Sequence, residues 1–330
     1  MSRNIIKLDS SIISAASAVG GREHEGPLGS FFDIHDGEDR FGMDSWEKAE
    51  SEMQRIATSI ALSRSGLPIE KLDAIFAGDL LNQCVGSAYG LIGFGVPYFG
   101  LYGACSTAAE GIMLASLTTS FGAFEYAAAV TSSHNCSAER QYRTPTEYGG
   151  QRAPNAQWTV TGAGAFIIGK GGDVRITEAL PGITVEQGIS DASNMGAAMA
   201  PAAISTLCRY FKESDQRPKD FDMILTGDLG HEGSDILCTL MKTQGINISD
   251  VHQDCGMMIY NRETQDVHCG GSGCGCSASV LASYVLPKLE KKELNNILFL
   301  GTGAMMSPSS VQQGLPIPAI AHLVRFESLK

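Results

Sequence analysis

Apolar and polar positions along the chain follow two periods, one helical and one typical of strands. Apolar residues recur every three or four positions from Trp46 to Ile60, and Gly66 ends the run, which predicts one amphipathic helix. Asp44, with Glu47 three residues later, predicts the cap of that helix. The next apolar stretch, "LDAIFAGDLL", is short and predicts a buried strand. This order of helix and strand indicates an α/β protein.

The same order of elements recurs in the second part of the chain. "PAAISTLCRYFKES" predicts a helix that opens at Pro201, and "FDMILTGDLG" predicts the strand after it. At a constant spacing the two strand segments match at Asp73 and Asp222, Ile75 and Ile224, Gly78 and Gly227, Asp79 and Asp228, and Leu80 and Leu229. Cys105–Ser106 likewise corresponds to Cys276–Ser277. We therefore predict a duplicated chain, with one half over residues 1–175 and the other over 176–330.

The segment after each of these two cysteines carries almost no charge. "STAAEGIMLASLTTSFGAF" has one acidic residue and "SASVLASYVL" has none. A helix that is apolar all round is buried all round. Two central helices flanked by βα units predict a sheet on either side of them and outer helices beyond. This arrangement is a five-layer αβαβα sandwich.

Composition and charge exclude several classes of function. The 330 residues carry a formal net charge of -12 and no cluster of Lys and Arg, so we expect no nucleic-acid partner. No apolar run follows the basic residues at the start, and Asn82, Gln83 and Pro97 interrupt the uncharged stretch after Asp79. We expect neither a signal peptide nor a transmembrane segment, and a cytoplasmic or peripheral membrane location. The nine cysteines form no C-x-x-C pair, so we expect reduced thiols and no metal.

Several strings carry a resemblance to known proteins. A duplicated α/β chain with a cysteine at the start of a buried helix resembles the thiolase-like superfamily, which includes thiolases and β-ketoacyl synthases. Within it, "EGPLG", "AGDLLNQ", "GACST", "AERQYRTPTEYGGQ", "GGSGCGCSA" and "IPAIAH" resemble the stage V sporulation protein AD family of endospore-forming bacteria. These strings extend over most of the chain in a single order, which makes the resemblance far more specific than any one motif.

The resemblance implies a binding protein rather than an enzyme. Its ligand would be dipicolinic acid (pyridine-2,6-dicarboxylic acid), with or without calcium, and no other cofactor is implied. The protein would help to move this ligand into the developing spore, beside the membrane proteins of the same transport system, at the spore inner membrane. Thiolase-like folds pair through an edge strand, so a homodimer is also implied, with "EYAAAVTSS" as the candidate edge.

An acyl-thioester condensing or acyl-transfer enzyme is the alternative. Cys105 at a helix start suits a thiolate nucleophile. Where ketoacyl synthases of the third type carry histidine and asparagine, this chain offers His231 as a possible base and Cys274 as a weak hydrogen-bond donor. Thioester condensation therefore looks impaired. A structural adaptor with an empty site is a third hypothesis.

A flat ring with two carboxylates needs hydrogen-bond donors and an apolar wall. Free amides at the start of the helix after Cys105 can supply donors. Further donors and aromatic side chains come from the polar stretch "TSSHNCSAERQYRTPTEYGG" and from the end of the first duplicated strand. The predicted ligand-binding residues are Cys105, Asn82, Gln83, His134, Asn135, Arg143, Tyr148, His231 and Cys274.

Several of these residues can instead have an ordinary structural role. Arg140 and Arg143 can equally belong to a solvated loop face, Asn82 and Gln83 can cap the next helix, and His231 can be an ordinary loop residue. Strand-end aspartates such as Asp79 and Asp228 more often accept hydrogen bonds from loops than bind calcium.

Overall fold

A computed structural model describes residues 5–142 and 152–329. The strands are β1 (Ile6–Gly20), β2 (Ile34–Asp36), β3 (Ala74–Gly78), β4 (Tyr98–Gly100), β5 (Ala127–Ser133), β6 (Trp158–Thr159), β7 (Gly162–Gly169), β8 (Val174–Leu180), β9 (Met223–Thr226), β10 (His252–Asp254), β11 (Gly271–Ser272), β12 (Asn296–Ala304) and β13 (Ala319–Ser328). The helices are α1 (Gly21–His24), α2 (Trp46–Ser65), α3 (Val85–Leu91), α4 (Thr107–Ser120), α5 (Asn135–Tyr142), α6 (Met195–Glu213), α7 (Gly230–Thr243), α8 (Cys255–Met258), α9 (Cys274–Val280), α10 (Leu286–Glu290) and α11 (Pro308–Gln312). A π-helical turn, Leu281–Val285, joins α9 to α10.

Two groups of five strands repeat the same spatial order. The first group runs β4-β3-β5-β7-β1, and the second runs β10-β9-β12-β13-β8. In each group the strand that comes first along the chain lies at the inner end and pairs antiparallel with its neighbour. The long strand β1 connects the groups, because its Ile6–Ile12 part pairs with β8 and its Ser11–Val19 part with β7. The order supports the duplication, while the boundary at residue 175, which falls inside β8, stays a prediction.

Three apolar cores separate the layers. The outer helix α2 packs Met53 and Ala57 against the first group of strands. The central core encloses α4 and the α9–α10 segment between the strand groups. Beyond the second group, α6 and α7 cover its outer face through residues such as Met199 and Leu237. The layers therefore run helix, sheet, central helices, sheet, helix, as the two uncharged segments predicted.

Side chains of β12 point alternately into two of these cores. Ile297 and Phe299 face the central helices, whereas Leu298 and Leu300 face α6 and α7. All four side chains are fully buried. A strand covered on both faces carries a continuous apolar run, which is why "NILFLG" shows no polar alternation.

Two predicted helix starts were wrong. Ser45, not Asp44, caps α2, because its hydroxyl accepts the Lys48 N–H at 3.4 Å. Helix α6 begins at Met195, and Asn194 caps it by accepting the Ala197 N–H at 3.2 Å. Pro201 thus lies inside that helix rather than at its start. A proline is most common in the first turn, and the prediction followed this preference.

The predicted edge strand was also wrong. β5, which contains the "AAAVTSS" segment, pairs with β3 on one side and β7 on the other. The end of this group of strands is β4, whose three residues are all exposed. No helix in the described part of the chain is both long and apolar enough to cross a lipid bilayer.

Candidate functional site

A narrow cavity opens at the ends of the central strands and reaches Cys105. Its volume is about 80 Å³, which is room for several water molecules. The wall combines apolar side chains, two tyrosines and one acid, and includes Leu80, Tyr102, Glu139, Tyr142, Met195 and Met306. None of the described residues that line it is a lysine, arginine or histidine.

Cys105 lies in the tight turn Ala104–Ser106 that leads directly into α4. Ala104 adopts a left-handed backbone conformation with φ of 49°. This turn brings the cysteine to the wall of the cavity, although only 4% of its surface is exposed. The predicted position of Cys105 at the start of a buried helix is therefore confirmed.

Asp228, two residues beyond the end of β9, lies against the Cys105 thiol. One carboxyl oxygen accepts the Gly273 N–H at 2.8 Å and the other accepts the Thr302 hydroxyl at 2.9 Å. Gly273 donates from a backbone φ of 100°, which favours glycine. Burial raises the pKa of Asp228 to about 6. Burial also raises the pKa of Cys105, and the charge of Asp228 raises it further.

Cys274 is the first residue of α9 and lies beside the same pair. Its side chain is fully buried and donates its S–H to the Ser132 carbonyl at 2.9 Å. Burial raises the pKa of this thiol as well. Because its hydrogen is directed at a backbone carbonyl, Cys274 does not donate to a group above Cys105.

Two tyrosine hydroxyls meet in the cavity wall. The oxygens of Tyr102 and Tyr142 lie 3.2 Å apart. Tyr102 donates to the Met306 carbonyl at 2.7 Å, and Tyr142 donates to the Leu80 carbonyl at 2.9 Å. The hydroxyls thus join four separate chain segments around the cavity, and their oxygens keep lone pairs available to a donor or a cation.

The structure places His134 and Asn135 behind the wall. The His134 ring contacts the Asp39 carbonyl at 2.8 Å and the Cys136 N–H at 3.1 Å, so it anchors a neighbouring loop. Burial lowers the pKa of His134. Asn135 donates its side-chain amide to the Thr159 carbonyl at 3.2 Å. Neither is among the described residues of the cavity lining.

Three more predicted residues also lie away from the described lining. Asn82 and Gln83 are exposed in a short turn before α3. His231 lies in the first turn of α7, where burial lowers its pKa and Arg262 and Asp235 are its charged neighbours. Its backbone N–H, not its ring, bonds the Cys269 carbonyl. Arg143 and Tyr148 lie outside the described residues, so their roles stay predictions.

Sequence reasoning missed Asp228 and the tyrosine pair as site residues. The matched "GDL" segments carry a signal for Asp228, but a strand-end aspartate predicts a hydrogen-bonding role rather than a site residue. It does accept the bonds expected of a strand-end aspartate, and it also faces the thiol. No sequence signal could have joined Tyr102 to Tyr142, because that contact depends on how β4 and α5 pack.

Comparisons with known proteins agree with this architecture. A family model described as Stage V sporulation protein AD (SpoVAD) matches residues 3–327. The Stage V sporulation protein AD of Bacillus subtilis (strain 168) is 44% identical over 315 residues, which cover 95% of this chain and 93% of that protein.

Several solved structures share the fold at low sequence identity. A variant of OleA from Xanthomonas campestris aligns with a TM-score of 0.60 and 16% identity, covering 98% of this chain and 99% of that one. The 3-oxoacyl-(acyl carrier protein) synthase III FabH of Xanthomonas oryzae pv. oryzae aligns with a TM-score of 0.59 and 16% identity, covering 96% and 99%. These likenesses concern the fold alone, and they confirm the predicted thiolase-like class. By the family match over nearly its whole length, the chain belongs to the stage V sporulation protein AD family.

Proposed function

We propose that this protein binds dipicolinic acid in the Cys105 cavity without catalysing a reaction on it. In this role it acts with membrane proteins of the same sporulation system to move the ligand into the developing spore. The observation that carries the proposal is a small cavity that ends at a protonated thiol facing a carboxyl group. A cavity that ends at such a thiol offers a ligand a surface to pack against, while the thiol lacks a base or cation that would make it react.

The surroundings of Cys105 argue against nucleophilic attack. A reactive cysteine is a thiolate stabilised by a cation or a base. Here burial and Asp228 raise the thiol pKa, and His231 is not among the described residues around it. Cys274, the second candidate partner, directs its S–H at a backbone carbonyl. Each of these features favours binding over condensation.

The oxygen atoms of the wall favour the calcium chelate over the free dianion. The described lining contains the hydroxyls of Tyr102 and Tyr142, and Asp228 lies at the base beside Cys105. Calcium prefers oxygen ligands, and a 1:1 chelate of calcium and dipicolinate is neutral, so the carboxylate of Asp228 does not repel it as it repels the dianion. Arg143, beyond the described residues, stays the predicted cationic contact.

Isothermal titration with dipicolinate tests the proposal. We expect saturable binding to the parent protein, stronger with calcium, and at least about tenfold weaker binding to Cys105→Trp, whose bulk fills the narrow cavity. Cys208→Trp, at a half-buried thiol on α6, is the matched control and should bind as the parent does. Absence of heat with and without calcium would overturn the proposal.

Acyl transfer by Cys105 is the second candidate, favoured by the fold shared with a 3-oxoacyl-(acyl carrier protein) synthase III. It predicts covalent labelling of Cys105 by an acyl-CoA, which mass spectrometry of the digested protein would detect. Binding predicts heat without labelling, and an adaptor predicts neither.

We also propose that the protein forms a homodimer through β4. This strand ends its sheet, and the chain between Asp79 and Glu110 carries no charged residue that would discourage pairing of the edge. Phe99 of β4 is 46% exposed, and the same uncharged segment exposes 76% of Ile92. An exposed apolar edge of this kind is suited to antiparallel pairing with a second copy.

A further inference from the structure

Two buried carboxyl groups, Glu50 on α2 and Asp79 just after β3, lie behind the cavity wall. Both side chains are fully buried. They flank the same glycine: a Cβ atom built on Gly86 would lie 3.2 Å from an Asp79 oxygen and 3.5 Å from Glu50 Cγ. In the described part of the chain, their hydrogen-bond partners are backbone N–H groups and serine hydroxyls. A pair of buried acids with such partners is expensive to ionise twice.

The partners of Asp79 are all suited to a carboxylate. Asp79 Oδ1 accepts the Leu81 N–H at 2.8 Å. Asp79 Oδ2 accepts the Ser87 N–H at 2.7 Å and the Ser87 hydroxyl at 2.6 Å. Two of these three donors are backbone N–H groups, which cannot accept a hydrogen bond and therefore favour an ionised carboxyl, although burial raises the pKa of Asp79 as well. The negative charge of the pair therefore belongs on Asp79.

The partners of Glu50 are suited to a neutral acid. Glu50 Oε1 contacts the Ser132 hydroxyl at 3.0 Å, and Oε2 contacts the Ser137 hydroxyl at 2.8 Å. The Ser137 hydroxyl also lies 3.1 Å from the His134 carbonyl. A hydroxyl has one hydrogen, so Ser137 cannot donate to both. A protonated Glu50 donates to Ser137, which is then free to donate to His134.

One amide connects the two acids. Gln54 Nε2 donates to the Ser87 hydroxyl at 2.9 Å and to the Ser132 hydroxyl at 2.7 Å. Ser87 then donates to Asp79 and Ser132 to Glu50. Burial and, second to it, the charge of Asp79 together raise the pKa of Glu50 to about 8.

We propose that Glu50 and Asp79 together hold one proton, on Glu50, and that this proton positions two walls of the ligand cavity. The inference rests on the proposed binding function. Ser137 immediately precedes Ala138, and Asp79 immediately precedes Leu80, and both following residues line the cavity. The Ser132 carbonyl accepts the Cys274 S–H. Glu50 is thus a positioning residue that acts on the cavity through its hydroxyl partners.

Loss of the proton would change this network. Glu50 would then need Ser137 as a donor, and the His134 carbonyl at the start of α5 would lose that hydroxyl. The other titratable groups around the pair are Glu47, which Arg140 pairs at the surface, and Cys84, Tyr98 and Cys274. Since these thiols and this phenol cannot offset a second buried charge, we expect ligand affinity to fall about tenfold between pH 7 and pH 9.

The experiment compares the parent with Glu50→Gln, which copies the neutral acid and can donate to Ser137. Dipicolinate titrations at pH 7, 8 and 9 should show the tenfold loss in the parent and less than about a twofold change in the variant. Glu23→Gln is the matched control, because Glu23 is equally buried, burial raises its pKa to about 7, and its partners Tyr260 and Thr161 are not among the described lining residues. The control should keep the parent's pH dependence.

A second measurement needs no ligand, so it separates this inference from the proposed function. The infrared difference spectrum of the parent minus Glu50→Gln should contain the band of a protonated carboxyl group at pH 7, and this band should decline near pH 8. If Glu50→Gln does not fold, Ser137→Ala tests the same connection between Glu50 and the cavity wall. This variant removes the hydroxyl that donates to the His134 carbonyl when Glu50 is protonated and to Glu50 when it is ionised. A missing Glu50 band, or equal pH dependence in parent and variant, would overturn the inference.

Discussion

At the scale of single residues, the chemistry of Cys105 depends on one neighbour that is distant in sequence. Asp228 comes from the second half of the chain, and its carboxyl faces a thiol that begins a helix in the first half. A helix start favours a thiolate, but burial and an adjacent negative charge oppose it. Because the pKa of the Cys105 thiol is raised, burial and the charge of Asp228 outweigh the effect of the helix start.

Asp228→Asn should make Cys105 more reactive. At pH 8 the parent carries a negative charge at Asp228, whose pKa is about 6, and removing that charge lowers the thiol pKa. We expect alkylation of Cys105 by iodoacetamide at pH 8 to become about fivefold faster. Mass spectrometry of digested protein measures this rate cysteine by cysteine.

Cys208 in the same digest is the internal control, because burial alone raises its pKa. It should react equally in both proteins. An unchanged or slower rate at Cys105 would show that Asp228 does not hold the thiol protonated.

At the scale of elements, the contact between α9 and β7 depends on the absence of a side chain. A Cβ atom on Gly275 would lie 2.1 Å from the Gly162 carbonyl oxygen, a backbone atom that cannot move aside. This close approach brings the start of α9 to the cavity base and lets the Gly273 N–H reach Asp228.

Gly275→Ala should therefore destabilise the protein by about 3 kcal/mol or more, because the helix must move away from the strand. Gly111→Ala is the matched control in the other central helix, where the nearest atoms lie at 3.4 Å, an ordinary contact. Urea unfolding followed by circular dichroism measures both variants. Equal stabilities for the two would contradict the close packing of α9 on β7.

At the scale of the whole molecule, the proposed homodimer depends on how the two duplicated strand groups end. Both strand groups have the same order, but of the two outer strands in the described chain β4 is the exposed and uncharged one. This edge also lies near the cavity, because Tyr102, two residues after β4, is part of the cavity lining. Pairing of two copies there would place their two cavities near the shared interface.

Phe99→Glu should convert a dimer into a monomer, because a charge on the pairing edge would be buried without a partner. Light scattering coupled to size-exclusion chromatography gives the mass of each species. Phe121→Glu is the control, since Phe121 is 72% exposed at the end of α4 and its variant should stay dimeric. A monomeric parent at all concentrations would refute the β4 interface.

The sequence by itself determined the layers, the family and the place of Cys105. Period, charge and repetition are local properties, so the uncharged segments after Cys105 and Cys276 were sufficient to predict central helices. The tertiary structure decided which side chains meet at the thiol. Asp228, rather than His231, faces Cys105 because β9 ends just before Asp228 and α7 carries His231 away from the cavity. It also decided that β4 is the edge and that Glu50 meets Asp79, since such contacts depend on packing between distant segments and not on spacing along the chain.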